Sequence, residues 1–441
     1  MSIAFHLLTL LLATAPVFAI VDGPFVHHFA AFAIAIMLAT AALDPQTEFA
    51  TTARLLKRFS LAILFPILWM VLQIAPLPFS WLANPIWSSA SVALNEPSLL
   101  GRISVDPGIT FGSLIWYVTV LSLVIAASIV TKDRRRAEVT FLVLSAITTF
   151  IAAAVWLDQF SLLRGILLPA TAAPAGTFVA MCALGTIVST GSVLMAVERH
   201  FSLRRSQERS LRPFFLKLIL GFVGIIVCAA ASWNLAPSPV VAALTLGIAV
   251  IAFIATARRL ELRPWLSLVL FSIFAATAGG LLSARLQDNH MVGIVGYATS
   301  ASAESLALAQ RALSAAPLLG NGVGTFPSLT AIYQDFGSAP TLKPPSTAVS
   351  IAIEWGQPAL VILMAFVIQL FAFTFRGAIG RGRDSFFSSS AAASLVLALC
   401  EAFSDSSLLN PAVQTIIAVI VGLGLSQSIG RTTGLKDEGN A

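Results

Sequence analysis

The sequence predicts an all-α, polytopic integral membrane protein with about twelve spanning helices. Three observations carry that expectation. Only 10% of the 441 residues are charged and 57% are hydrophobic, against roughly 25% charged in soluble domains, and mean hydropathy is +0.90. Apolar stretches near the length of a bilayer core, about 20 residues, recur along the whole chain. Lys and Arg crowd into alternate connections instead of spreading evenly.

Taken in order, the stretches fall at about 3–21, 26–43, 60–76, 111–130, 138–157, 174–196, 214–232, 240–257, 265–283, 350–375, 388–404 and 411–428. Helix is expected for each, because lipid offers no partner to exposed backbone groups and the period-2 pattern of a barrel strand is absent. The first stretch has no Lys or Arg ahead of it, which a signal peptide would supply, so it reads as a first membrane helix. Cys182, Cys228 and Cys400 all lie inside apolar runs and read as packing residues.

The basic residues orient the chain. Arg54, Lys57 and Arg58, the run "KDRRR" at 132–136, the cluster from Arg199 to Lys217, Arg258 to Arg263, Arg376 to Arg383, and Arg431 with Lys436 all fall on one side. Only Arg102, Arg164, Arg285, Arg311 and Lys343 fall on the other. The positive-inside rule then makes both termini cytoplasmic, with a short tail at 430–441. The net charge of +6 is accounted for by this topology, and nucleic-acid binding is not expected.

Two external segments are long, 77–110 and 284–349, and loops of that length between helices are usually functional. The second, between the ninth and tenth stretches, contains "SAESLALAQRALSAA" (302–316), which reads as a short amphipathic helix. Leu306, Leu313 and several alanines are expected on its membrane face, with Glu304 and Arg311 opposite. "AAPLLGNGVGTFPSL" (315–329) follows. Its glycines suggest a phosphate cradle, but no strand precedes it and no Walker lysine follows, so neither a dinucleotide nor a nucleotide-triphosphate loop is expected.

Candidate chemistry therefore rests on scattered side chains. Arg311 and Arg285 are expected to grip an anionic, lipid-linked substrate at the outer leaflet. Glu354, in "SIAIEWGQPAL", and Glu401 with Asp405, in "EAFSDSSLLNP", are acids near membrane depth, where an ionisable group is a functional candidate by default. His290 is the histidine of the large external loop, and Tyr333 and Asp335 offer groups for sugar hydroxyls. No His/Cys/Asp cluster has metal-ligand spacing, so neither metal nor cofactor is expected.

Several stretches together resemble the bacterial O-antigen ligase and polysaccharide polymerase family of the Wzy-C type. "QRALSAAPLLGNGVGTF" supplies the family's arginine and glycine run with Arg311, Gly320, Gly322, Gly324 and Phe326, and Glu354-Trp355-Gly356 matches its Glu-aromatic-Gly ending. "ISVDPGIT" (103–110) and "EAFSDSSLLNPA" (401–412) are similar to its entry and last-loop patterns. The positions of the family's two histidines fall here at Pro345 and Glu401, so the resemblance is to a divergent member. It implies a GT-C-like glycosyltransferase architecture in the bacterial inner membrane with a large periplasmic loop. It also implies transfer of a glycan from undecaprenyl pyrophosphate to a sugar hydroxyl, in O-antigen or exopolysaccharide biosynthesis, without metal or nucleotide sugar. Arg311, Arg285, Gly322, Gly324 and Tyr333 would then bind substrate, and Glu354, His290 and Asp405 would be the catalytic candidates. A twelve-helix transporter or lipid-linked glycan flippase, and a non-catalytic partner of polysaccharide assembly and export proteins, are the alternative readings.

Overall fold

A computed structural model describes residues 3–21, 23–43, 49–79, 81–159, 175–203, 212–261, 263, 265–273, 301–334, 343–380 and 384–428. Among them the regular structure is helical: α1 (Ile3–Ile20), α2 (Pro24–Ala42), α3 (Phe49–Arg58), α4 (Ser60–Ile74), α5 (Ile86–Leu94), α6 (Pro107–Val130), α7 (Arg134–Gln159), α8 (Ala175–Leu203), α9 (Arg212–Leu235) and α10 (Ser238–Arg259). There follow α11, described over 265–273, then α12 (Ala303–Ala315), α13 (Phe326–Tyr333), α14 (Thr347–Glu354), α15 (Gln357–Gly380), α16 (Ser385–Ser404) and α17 (Pro411–Ser428).

Ten of these helices are long and apolar enough to cross a membrane, and α3 with α4, bent by 62° at Phe59, makes an eleventh candidate. The twelve expected stretches differ from this count for two reasons. The 60–76 stretch is the α4 arm of that bent pair, and the 265–283 stretch lies partly outside the described residues. The 350–375 stretch also divides. A short α14 ends at Glu354, and a separate span, α15, starts at Gln357.

Helix α8 forms the buried centre with α16 and α17, whereas α9 and α15 turn most of their surface outward. Small residues let the central helices approach closely, as in other membrane bundles. A Cβ at Gly185 would sit 2.7 Å from the Thr148 Cβ, and Gly191 leaves room for Ser390 and Phe141.

The basic residues gather at one end of the bundle. Arg134 pairs with Asp384 at 2.7 Å and with Glu138 at 3.4 Å, Arg258 pairs with Glu198 at 2.6 Å, and Arg199 pairs with Glu138. At the same end, Gln427 donates to the Thr131 carbonyl at 2.7 Å. The starts of α6, α8 and α17 and the end of α16 lie at the opposite end, and there the two long segments predicted to share a side do meet. Val105 donates its N–H to the Asn321 carbonyl at 2.8 Å, and the Asn84 and Asn321 amides bond at 2.9 Å.

The second segment builds a small core of its own. Leu308, Ala309 and Ala312 of α12 pack on Phe326 and Leu329 of α13 and on Val349 and Ile353 of α14. The expected membrane-facing surface of α12 is therefore corrected: its apolar stripe is spent on protein. Leu306 stays half-buried and Arg311 is exposed.

Candidate functional site

The site is organised by α14 and the glycine run before α13. Ser346 caps α14 by accepting the Val349 N–H at 3.2 Å, and Thr347 at its first turn donates to the Asp405 carbonyl at 2.8 Å. Gly356, at φ +91°, ends it, and a Cβ there would strike the Leu318 carbonyl. The glycine run wraps this end of α14. Asn321 and Gly322 donate their N–H groups to the carbonyls of Ile353, at 3.1 Å, and Glu354, at 3.0 Å. Gln73 of α4 donates to the carbonyls of Leu319 at 2.8 Å and Glu354 at 2.9 Å, and Trp69 donates to that of Trp355 at 2.9 Å.

Gly320, Gly322 and Gly324 all have positive φ, a region that suits glycine. At Gly320 a Cβ would collide with the Glu354 carbonyl, and at Gly322 with the Ser104 hydroxyl. The backbone N–H groups of Gly322 and Gly324, two glycines expected to bind substrate, are engaged within the protein. The Gly322 N–H is held by the Glu354 carbonyl, and Gly324 and Phe326 direct theirs to the Glu354 carboxyl, the latter at 2.9 Å.

Glu354 is the product of this knot. It is almost wholly buried. Burial pushes its carboxyl up to about 7, against the opposing pull of the Gly324 and Phe326 N–H groups and the Ser350 hydroxyl. It lies on the wall of a cavity of about 1380 Å³ between the spans. Asp405 lies on that wall too, with Oδ1 accepting the Ser407 N–H at 2.9 Å. Helix α14 spaces the two: Asp405 is tied to its start and Glu354 is at its end, about 10 Å apart along the axis at 1.5 Å per residue.

The other wall comes from α2 and α6. The His27 ring stacks on Trp116 at 4.4 Å, and the Trp116 indole N–H donates to Gln414 Oε1 at 2.5 Å. Gln414 is fixed in turn by the Leu408 carbonyl at 2.9 Å. His28 and Lys343 also border the cavity, Lys343 as an exposed residue at its edge. A carboxyl near neutrality, a second carboxylate, two imidazoles and an ammonium therefore face one largely apolar chamber. That set can accept a proton and hold an anion.

The candidate residues from the sequence divide accordingly. Glu354, Asp405 and Gly324 come together at the cavity. Gly322 sits behind the wall, Tyr333 packs against the small α12–α14 core, and Arg102 lies over the Trp87 ring at 5.9 Å. Arg311 is exposed on α12 and is not among the lining residues. Arg164, Arg285, His290 and Asp335 lie outside the described residues. His27, His28, Trp116 and Gln414 escaped the sequence reading. A signal for the histidines existed: they sit just after the first turn, on the side with few basic residues, as a pair. A family-model scan and a search of curated proteins each return no match to this chain.

Proposed function

We propose that the chain is a polysaccharide polymerase or ligase of about twelve spans and GT-C-like architecture, resident in a bacterial inner membrane with both termini cytoplasmic. It transfers a glycan from undecaprenyl pyrophosphate to a sugar hydroxyl at the periplasmic face. One observation carries this reading: a buried carboxyl held near neutrality, Glu354, opens onto a cavity between the spans that also has a lysine, Lys343, at its edge. That combination suits a substrate with a lipid tail, an anionic leaving group and an acceptor proton to be removed.

In this mechanism the ionised Glu354 takes the acceptor hydroxyl proton as the acceptor oxygen bonds to the anomeric carbon. The bond from that carbon to the pyrophosphate oxygen breaks with its electron pair, and Lys343 stabilises the departing diphosphate. Lys343 takes the place first given to Arg311, because it borders the cavity and Arg311 does not. The apolar wall of α2, α6 and α15 receives the polyprenyl chain.

The test is the fate of the lipid-linked glycan in a strain lacking the protein. The proposal expects lipid-linked units to accumulate on the outer face of the membrane, with loss of polymer or of its attachment. Accumulation on the cytoplasmic face would overturn it in favour of a flippase. Normal glycan restored by a Glu354→Gln variant would leave a non-catalytic partner role.

A further inference from the structure

Two acids close α16, and no described cation neutralises them. Glu401 is 1% exposed, and neither carboxylate oxygen has a hydrogen-bond partner among the described residues. Asp405 follows one turn later and donates its N–H to the Glu401 carbonyl at 3.1 Å. Asp405 Oδ2 lies 3.0 Å from where a Cβ at Gly176 would stand, in the first turn of α8.

Two hydroxyl residues adjoin the groups that meet Asp405. Thr177 comes next after Gly176, and Ser407 is the residue whose N–H holds Asp405 Oδ1. Both hydroxyl oxygens are buried and unpartnered among the described residues, and both residues line the cavity beside Asp405. The halves of α8, α10, α15 and α17 nearest this end carry no Lys or Arg, nor does α14. Among the described residues no ion pair joins Glu401 or Asp405 to a cation.

Buried polar groups in native proteins are matched by a partner, and a buried carboxylate left alone is especially costly. We infer that Glu401, Asp405, Thr177 and Ser407 form a binding site for one alkali-metal cation, Na⁺, in the inner wall of the cavity.

The donor set argues for a hard cation, since every atom on offer is oxygen. The charge argues for a monovalent one. Asp405 already has the Ser407 N–H and the positive end of α8 beside it, so of the two acids Glu401 is the one without a partner among the described residues. The position argues in the same direction. Helix α16 stops at Ser404, and the chain passes through a single 3-10 turn, Ser407–Leu409, before α17. This turn joins two full spans at the end of the bundle away from the basic residues, and Ser407 within it lines the cavity there. The ion would also brace the reacting wall, because the Asp405 carbonyl anchors the start of α14 and Glu354 ends it.

The test uses purified full-length protein in lipid nanodiscs. Thermal unfolding is compared in sodium, potassium, calcium and choline chlorides at matched ionic strength. Sodium at about 100 mM is expected to raise the midpoint by several degrees over choline, with saturation. Glu401→Gln and Thr177→Val are each expected to remove that increment while still unfolding cooperatively in choline. Radioactive sodium should bind once per chain. Absence of a sodium increment in the unaltered protein overturns the site, and so does an increment that survives both substitutions. A response to calcium alone overturns the assigned charge. Glycan output plays no part in this readout, so its outcome stands apart from that of the transfer reaction.

Discussion

Phe326 donates its backbone N–H to Glu354 Oε1 at 2.9 Å, tying the start of α13 to the end of α14 across 28 residues of chain. Through this bond one side chain both fastens the loop and faces the cavity. Replacing it with glutamine keeps an acceptor for Phe326 but removes the base. Glu354→Gln is therefore expected to lower transfer by about 10²- to 10⁴-fold while protein yield stays near normal. Transfer rate per molecule of folded protein is the measurement.

The same carboxyl sets a pH dependence. As a base it works when ionised, so transfer should rise with pH through about 7 and level above it. Stability should move the opposite way. Its folded pKa is raised from 4.5 to about 7, so the folded state holds the proton more tightly than the unfolded state. The stability linked to this proton is complete below about 4.5 and is lost as pH climbs through 7. Its size is roughly 3 kcal/mol at most, from 1.36 kcal/mol per pKa unit. Unfolding midpoints from pH 4.5 to 8, compared between the unaltered protein and Glu354→Gln, measure it: the downward slope should vanish in the variant.

The glycine run is expected to matter for folding more than for binding. Gly320→Ala puts a Cβ into the Glu354 carbonyl at φ +78°, and Gly356→Ala puts one into the Leu318 carbonyl at φ +91°. Each should destabilise by about 1–3 kcal/mol or more and reduce folded yield. Gly380→Ala meets nothing within 4 Å and should be neutral. Detergent thermal unfolding of the three variants separates these outcomes.

The spans were legible because the bilayer leaves a chain few choices: a run of apolar residues must be helical and near 20 residues long. The break at Glu354-Trp355-Gly356 was not, since hydropathy continues across it. What ends α14 there is the φ of Gly356 and the bonds from Trp69 and Gln73, contacts made from nearly 300 positions away. Glu354 and Asp405 were legible as acids in apolar surroundings. For Arg311, closeness along the chain to the glycine run says nothing of helix face. Leu308, Ala309 and Ala312 turn inward and carry Arg311 to the outside. His27 joins the site through the packing of α2 on α6, which the sequence marks only by the His27–His28 pair on the side poor in basic residues.

That difference makes a paired prediction. Arg311→Ala should leave transfer within about twofold, the usual reach of an exposed side chain, because the arginine is not among the described residues that line the cavity. Lys343→Ala should reduce kcat/KM by about tenfold or more, a loss near 1.4 kcal/mol of transition-state stabilisation. Opposite ranking of the two variants, measured on one substrate at saturating and limiting concentrations, would return the pyrophosphate to α12.

The α2–α6 wall gives the last test. Trp116 is held by Gln414 at 2.5 Å, Gln414 by the Leu408 carbonyl at 2.9 Å, and His27 lies flat on the indole. Trp116→Phe keeps a ring for His27 but abolishes the N–H, leaving Gln414 Oε1 without its donor in a half-buried place. A lost hydrogen bond of this kind costs about 1–3 kcal/mol, so the unfolding midpoint should fall by a few degrees. His27→Ala removes an aromatic contact worth about 0.5–1.5 kcal/mol beyond its area and leaves the Trp116–Gln414 bond standing. If the wall is a chain of support running from Leu408 to His27, the double variant should be no more than the sum of the two single losses. Should His27→Ala instead change transfer with the midpoint unmoved, the imidazole acts on the substrate and the stack merely orients it.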